Sequence, residues 1–247
     1  MLHQHINLRP RAPAPWLARP LHVDEKEAYD RRMSNLFDLI AAGDLDGLRA
    51  AIAHEPGLCR TRHASGASLV AWAAYVGNVG AIAAIRAVPV ELDPYEAIIL
   101  GEDEALDAAL ASGWDCNTLS PDGFAPLALA AFFDNAAAFE RLLPITSDVS
   151  RQAENPQRVA ALHAATAKRN AGMVEKLLRA GAQPDQAQAD GFTPLQVAAQ
   201  HGDGTIAGLL VLFGADPRKT NAKGTDAVAH ARTGGHEWLA QRLEALG

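Results

Sequence analysis

The sequence predicts an all-α solenoid of about seven helix-turn-helix units, joined by short β-hairpin-like fingers. Three observations support this fold class. Alanine, the best helix former and a small core residue, is abundant along the whole chain, which favours closely packed helices. Sequence landmarks recur about every 33 residues. An apolar quartet at i, i+1, i+4 and i+5 recurs in the second helix of successive units, as expected of a buried helix face.

The clearest unit spans residues 190–217, with the sequence DGFTPLQVAAQHGDGTIAGLLVLFGADP. A step of 33 residues forward from Pro194 reaches Ala227, which begins the final unit, and an equal step back reaches Ala161. Pro126, in DGFAPLALAA, begins another unit 35 residues before Ala161. Because Pro fits the first turn of a helix, these landmarks predict where helices begin.

Residues at the predicted helix ends agree with this organisation. Ser68, Thr193 and Asp226 precede first helices and are suited to cap their free N–H groups. Gly181 and Gly214 follow second helices, where a left-handed residue is favoured. The quartet of the last unit ends on an acid, as expected of a terminal unit that no neighbour covers. Its members are Leu239, Ala240, Leu243 and Glu244.

The unit at residues 190–217 closely resembles the ankyrin-repeat consensus, and the 33-residue period is that of the same family. The resemblance covers about residues 34–247 and is strongest from Asp122 onward. It implies stacked helix pairs whose concave face binds a protein partner, with no catalytic centre. It also implies that His163, in the family's Thr-Pro-Leu-His position, hydrogen-bonds backbone between units.

The earlier units are less regular. Weaker units begin near Asn35, Leu69 and Asp93. Leu69 and Asp93 are only 24 residues apart, which predicts that the unit at Asp93 has lost most of its finger. Asp134 and Arg169 stand where the consensus has a turn glycine.

We divide the chain into two parts. Residues 1–33 form a Pro- and Arg-containing N-terminal arm with a short leader helix, and residues 34–247 form the repeat domain. Within that domain, residues 122–247 are regular and the N-terminal units are degenerate.

The charge balance restricts the class of partner. The chain has 22 Lys and Arg against 29 Asp and Glu, and eleven acids but no Lys or Arg lie between Arg86 and Arg141. Nucleic-acid binding needs clustered basic side chains, so we expect no nucleic-acid partner and a protein partner with a basic or apolar surface. No apolar run reaches about 18 residues. We therefore expect no membrane span and a cytoplasmic monomer.

The chain offers little for catalysis or metal binding. Cys59 and Cys116 are too few for a disulfide framework and lack Cys-x-x-Cys spacing. His3 and His5 lie close in sequence but have no further ligands nearby. No hydrolase, phosphate-loop or dinucleotide motif occurs. The sequence predicts no enzyme, no cofactor and no metal, and the alternative is an enzyme or metal-binding protein that uses Cys116 or the histidines.

Apolar pairs precede the turn between the two helices in three earlier units, at a position that the ankyrin resemblance places on the exposed concave side. The regular units have polar or small residues there, such as Gln200 and His201. The apolar pairs are Tyr75–Val76, Ile99–Leu100 and Phe132–Phe133. Exposed aromatic clusters mark interaction sites, and acids beside them orient basic groups of a partner. The predicted partner-binding residues are Tyr75, Leu100, Glu102, Asp122, Phe124, Phe132, Phe133 and Asp134.

A further alternative concerns the N-terminal arm, which carries Trp16 and Leu17 among several prolines. If this arm folds over the apolar residues, the concave face is covered by the chain itself and the protein is a structural spacer.

Overall fold

The computed structural model describes residues 36–246, so the arm and leader helix predicted for residues 1–33 lie outside the described residues. Within the described part, residues 36–42 are helical and an isolated antiparallel bridge joins Arg62 to Ser68. The helices that follow residues 36–42 are α1 (Leu45–His54), α2 (Leu69–Tyr75), α3 (Val79–Arg86), α4 (Pro94–Leu100), α5 (Asp103–Ala111), α6 (Pro126–Phe132), α7 (Ala136–Leu142), α8 (Ala161–Ala167), α9 (Ala171–Arg179), α10 (Pro194–Gln200), α11 (Gly204–Leu212), α12 (Ala227–Thr233) and α13 (Glu237–Glu244).

These helices form seven helix pairs, which we call units 1 to 7. Unit 1 consists of residues 36–42 and α1, unit 2 of α2 and α3, and so on to unit 7, which consists of α12 and α13. First helices pack against the first helix of the next unit along the series α2, α4, α6, α8, α10 and α12. Second helices of neighbouring units also pack on one another in units 1 and 2, 3 and 4, and 5 and 6, as α9 does on α11. The predicted all-α solenoid is confirmed.

Each unit turns between its helices at one residue with a positive φ. Glycine adopts this conformation without steric cost, whereas other residues are strained there. In two units the residue is not glycine, as predicted from the repeat alignment. The seven turn residues are Gly43, Gly77, Gly101, Asp134 (φ 54°), Arg169 (φ 58°), Gly202 and Gly235.

The predicted helix caps are present. The side chain of Ser68 accepts a hydrogen bond from the Ala71 N–H at 3.1 Å, and Asp226 accepts one from Ala229 at 2.8 Å. Thr193 caps α10 in the same manner. These side chains satisfy N–H groups that a helix start leaves unpaired, so local sequence fixes where the first helices begin.

The apolar quartets form the core between units. In unit 5 all four members of the quartet are buried. In unit 7 the fourth member, Glu244, is exposed and its carboxylate accepts a hydrogen bond from Arg232 at 2.8 Å. The last unit therefore buries an apolar side against unit 6 and presents a polar outer side, as predicted.

Unit 3 begins one residue later than the repeat spacing predicts. Asp93 Oδ1 accepts a hydrogen bond from the Glu96 N–H at 2.8 Å, and Glu96 Oε2 accepts one from the Asp93 N–H at 3.0 Å. Asp93 is therefore the cap of α4, and Pro94 is its first residue. Ile99, which was expected on the exposed side, consequently takes the place that Ala131 has in unit 4 and is buried. The prediction for Ile99 was wrong.

The same unit has lost its finger, as predicted from the short interval. Residues 87–93 connect α3 to α4, which is half the length of the connector at residues 112–125 that leads to α6. As a result, the finger of unit 2 reaches the finger of unit 4. A Cβ atom placed on Gly66 would lie 2.0 Å from the carbonyl oxygen of Pro121. The two fingers thus touch across the position where unit 3 has none.

Candidate binding surface

An open groove with a volume of about 940 Å³ lies beside the contact between these two fingers. Its walls come from the first helices of units 2 and 4 and from the fingers of units 2, 4 and 5, and none of its lining residues belongs to unit 3. We call it the aromatic groove. It is lined by Ser65, Ala67, Trp72, Tyr75, Leu119, Ser120, Pro121, Asp122, Gly123, Phe124, Ala128, Leu129, Phe132, Glu154, Asn155, Pro156, Gln157 and Val159.

Tyr75 is the centre of an aromatic cluster that joins unit 2 to unit 4. Its ring centroid lies 6.0 Å from that of Phe124, 6.2 Å from that of Phe132 and 5.7 Å from that of Phe133. The Phe132 and Phe133 rings meet edge to face at 5.1 Å. These distances are those of favourable aromatic pairs, so the cluster is a packed wall of the groove rather than a set of separate side chains.

Asp122 fixes the hydroxyl end of Tyr75. The Tyr75 hydroxyl donates to Asp122 Oδ2 at 2.8 Å across 47 residues of sequence, and the Ser120 hydroxyl donates to Asp122 Oδ1. The Asn155 side chain donates to the backbone oxygen of Asp122 at 3.1 Å, which ties the finger of unit 5 to the same point. Burial and the adjacent carboxylate raise the pKa of Tyr75 well above its ordinary value, so the hydroxyl stays a donor.

Four of the eight predicted binding residues line the groove, namely Tyr75, Asp122, Phe124 and Phe132. Leu100 and Phe133 are half-buried and pack beneath it, against the small cluster of Ala67, Ala71 and Ile99. They support the groove from below and are not part of its lining.

The predicted acids have partners within the chain. Glu102 forms an ion pair with Arg86, and Asp134 Oδ1 accepts a hydrogen bond from Asn170 Nδ2 at 2.6 Å. Neither acid is a lining residue. That Glu102, Asp122 and Asp134 face a partner's basic groups stays a prediction. Of the three, Asp122 alone lines the groove, and its carboxylate already accepts two hydroxyl donors.

Sequence reasoning missed several lining residues. Trp72 lies three residues before Tyr75 on α2, so helical periodicity alone places the two side chains on the same face. The Trp72 ring stacks on His63 with centroids 4.3 Å apart. Val159 has the place in unit 5 that Phe124 has in unit 4, so the repeat could have indicated it, whereas Leu119 lies in a connector where no periodic pattern indicated its position. Their place in the groove depends on how the fingers meet.

The corresponding positions in units 5 and 6 are polar or small. Gln200 and His201 are exposed in unit 6, and Ala167 and Lys168 are exposed in unit 5. Lys168 Nζ lies 4.9 Å from the centroid of Phe132, so the first residue beyond the cluster on this side is basic. At this position before the turn, the aromatic side chains therefore end at unit 4.

Cys59, Cys116 and His163 have structural environments, whereas His3 and His5 lie outside the described residues. Cys59 and Cys116 are buried, and burial raises the pKa of both thiols, which disfavours the reactive thiolate. His163 Nε2 lies 2.8 Å from the Gln186 oxygen and its Nδ1 accepts from the Ala160 N–H, as the ankyrin resemblance implied. No group of three or more metal-ligating side chains occurs among residues 36–246.

Residues 36–246 contain no helix with the length and apolarity that crossing a membrane requires.

Comparison with known proteins agrees with this repeat architecture. The family model for ankyrin repeats (3 copies) matches residues 129–221 and 162–244. ARF GTPase-activating protein GIT2 of Mus musculus is 37% identical over 107 residues, which is 43% of this chain and 15% of that protein. ARF GTPase-activating protein GIT1 of Homo sapiens is 36% identical over 107 residues, or 43% of this chain and 14% of that protein.

A third relative is protein phosphatase 1 regulatory subunit 27 of Homo sapiens, which is 38% identical over 79 residues, or 32% of this chain and 51% of that protein. The chain thus spans only about one seventh to one half of the length of these curated relatives. The match shows that residues 129–244 carry ankyrin repeats, and the seven stacked helix pairs of residues 36–246 agree with that architecture.

Proposed function

We propose that this chain is a non-catalytic binding module that holds a protein partner in the aromatic groove. Ankyrin repeats indicate a protein-interaction module, and the groove is where this chain departs from a regular ankyrin surface. The observation that carries the proposal is the aromatic cluster of Tyr75, Phe124 and Phe132 in an open groove. At the position that Tyr75 and Phe132 share within their units, units 5 and 6 have Ala167 and Gln200. Clusters of this kind at a surface are typical of interaction sites.

The groove can supply affinity through burial of side chains that the free protein leaves partly in water. Phe132 is 39% exposed, and Trp72, Tyr75 and Phe124 are half-buried. Complete burial of one such side chain is worth about 1.5–3 kcal/mol relative to full exposure, so each gains a fraction of that on binding. Several partly exposed anchors in one groove are therefore needed, and the groove provides them on walls that already pack together.

A photo-cross-linking experiment tests the site. p-Benzoyl-phenylalanine replaces Phe132 in one variant and Leu212 in a control variant, and both are irradiated in extract of the native source. Leu212 lies on α11, outside the aromatic groove, and is 78% exposed, so non-specific collisions favour the control position. We expect an adduct with a distinct protein from position 132, and a lower yield when Tyr75→Ala is added. Equal adducts from both positions, or adducts from position 212 alone, would refute the proposal.

A further inference from the structure

We propose that residues 9–20 of the chain occupy the aromatic groove in the free protein, so that a partner has to displace them. This goes beyond the proposed function, because it concerns the state of the groove before any partner binds.

The composition of residues 9–20 suits the aromatic lining of the groove. The sequence RPRAPAPWLARP, at residues 9–20, combines four prolines with Trp16 and Leu17. Proline fixes φ and restricts the residue before it, so such a segment favours an extended polyproline II conformation with little entropy left to lose. Polyproline II segments bind in grooves lined by aromatic side chains. The lining of the aromatic groove contains Trp72, Tyr75, Phe124 and Phe132.

The charges of the groove lining and of residues 9–20 are also complementary. The charged residues of the groove lining are Asp122 and Glu154, and the lining contains no Lys, Arg or His. Glu154 pairs with Arg151 at 2.9 Å, whereas the Asp122 carboxylate accepts hydrogen bonds from two neutral hydroxyls. No ion pair of Asp122 occurs within residues 36–246 at a distance of 4.0 Å or less.

Residues 9–20 carry three arginines and no acid. A guanidinium group brought beside the groove would give the Asp122 charge a cationic partner in a half-buried setting, where such a pair is screened less than at an open surface.

The stretch of chain between residues 9–20 and the groove is short. The described chain begins beside the groove, because the ring of Phe37 lies 5.6 Å from that of Trp72, which is a lining residue. Residues 21–35 span about 22 Å if wholly helical and about 50 Å if extended, so either conformation allows residues 9–20 to reach the groove. A tether of this kind gives a local concentration on the order of millimolar, so even weak binding fills the site.

A spin-label experiment on the full chain tests the inference. Ala12→Cys carries a nitroxide, and Cys59 and Cys116 are buried with raised thiol pKa values, which directs the label to the new cysteine. We expect the backbone amide signals of Phe124, Phe132 and Val159 to lose most of their intensity, while those of α12 and α13 keep theirs. Adding Trp16→Ala and Leu17→Ala should restore the groove signals, whereas His5→Ala, outside the segment, should not.

Three results would overturn the inference. They are full intensity at the groove, attenuation spread evenly over units 2 to 7, and attenuation that Trp16→Ala with Leu17→Ala leaves unchanged. A mixture of two chains is a further control, in which one chain carries the isotope label and the other carries only the nitroxide. Attenuation in this mixture would show that another copy supplies the segment, and would also contradict the inference. Because no partner is present, failure here leaves the cross-linking result at Phe132 unaffected, and the two proposals are tested separately.

Discussion

Units 2 to 4 and units 5 to 7 are built from the same helix pair but differ in what lies between the pairs. In units 6 and 7 the connectors that lead to α10 and α12, residues 180–193 and 213–226, have equal length, and the residues before the turn of unit 6 are polar. In unit 3 the connector is half as long, and aromatic residues occupy the positions before the turn in units 2 and 4. One shortened connector thus brings two distant fingers together and leaves an aromatic groove beside them.

The largest expected effect comes from breaking the contact between the fingers of units 2 and 4. Gly66→Ala should lower the free energy of unfolding by about 3 kcal/mol, because it adds a clash with the Pro121 backbone to the cost of a positive φ. Gly113→Ala is the matched control, since its φ is also positive but its Cβ would meet open space. It should cost about 1 kcal/mol. Urea unfolding measures both, and equal losses would contradict direct contact between the fingers.

The free energy of unfolding should depend on pH, and His163 in unit 5 explains this dependence. Burial lowers the pKa of His163 to about 4, below its ordinary value of 6.5. Between these values the unfolded chain binds a proton that the folded chain does not, so stability is fully present above pH 6.5 and is lost as the pH falls toward 4. The loss at pH 4.5 should be roughly 2–3 kcal/mol from this group.

Gln196 supplies the comparison for His163. It occupies the same place on α10 and donates to the Lys219 oxygen at 2.7 Å, without a titrating group. His163→Gln should therefore remain folded at pH 7 and lose less stability than the wild type between pH 7 and pH 4.5. Unfolding curves at the two pH values measure this difference. An identical pH dependence in both proteins would contradict the assigned environment of His163.

A smaller effect, of opposite sign, is expected where the turn glycine is missing. Arg169→Gly should raise the free energy of unfolding by about 1 kcal/mol, because it removes the cost of a left-handed conformation. Asp134→Gly should gain less, since Asp tolerates this conformation better and here accepts a hydrogen bond from Asn170. Thermal unfolding ranks the two variants. A larger gain for Asp134→Gly would show that backbone strain does not decide these positions.

An effect of similar size, but a loss of stability, is expected at the groove itself. Phe132→Ala should cost about 1 kcal/mol, because its side chain is already partly in water. The same substitution at the buried Phe139 should cost about 3–5 kcal/mol. Urea unfolding compares the two variants, and a cost for Phe132 as large as that for Phe139 would make it a core residue rather than a binding residue.

The sequence allowed the repeated parts to be predicted, because they depend on local chemistry. Caps such as Ser68 and Thr193, the strained turn at Arg169 and the missing finger of unit 3 all follow from residues near one another in the chain. The position of Ile99 could not be predicted in the same way. The side chain of Asp93 decides it by capping α4, so that this helix begins one residue later while the turn stays at Gly101.

The groove was only partly predictable for a related reason. Tyr75, Phe124 and Phe132 were identified because the repeat gave their position within each unit. Asp122 was expected to face a partner, yet it accepts the Tyr75 hydroxyl, a contact between residues 47 positions apart. Such contacts follow from the way in which the fingers meet, which the period of the sequence does not encode.

We infer that the short connector of unit 3 creates the aromatic groove, and a change in the length of this connector tests the inference. Seven residues inserted into the connector at residues 87–93 would give it the length of the connector at residues 112–125. We expect this variant to remain helical by circular dichroism and to lose the photo-adduct from position 132. An adduct of undiminished yield from a folded chain with the restored finger would contradict the account.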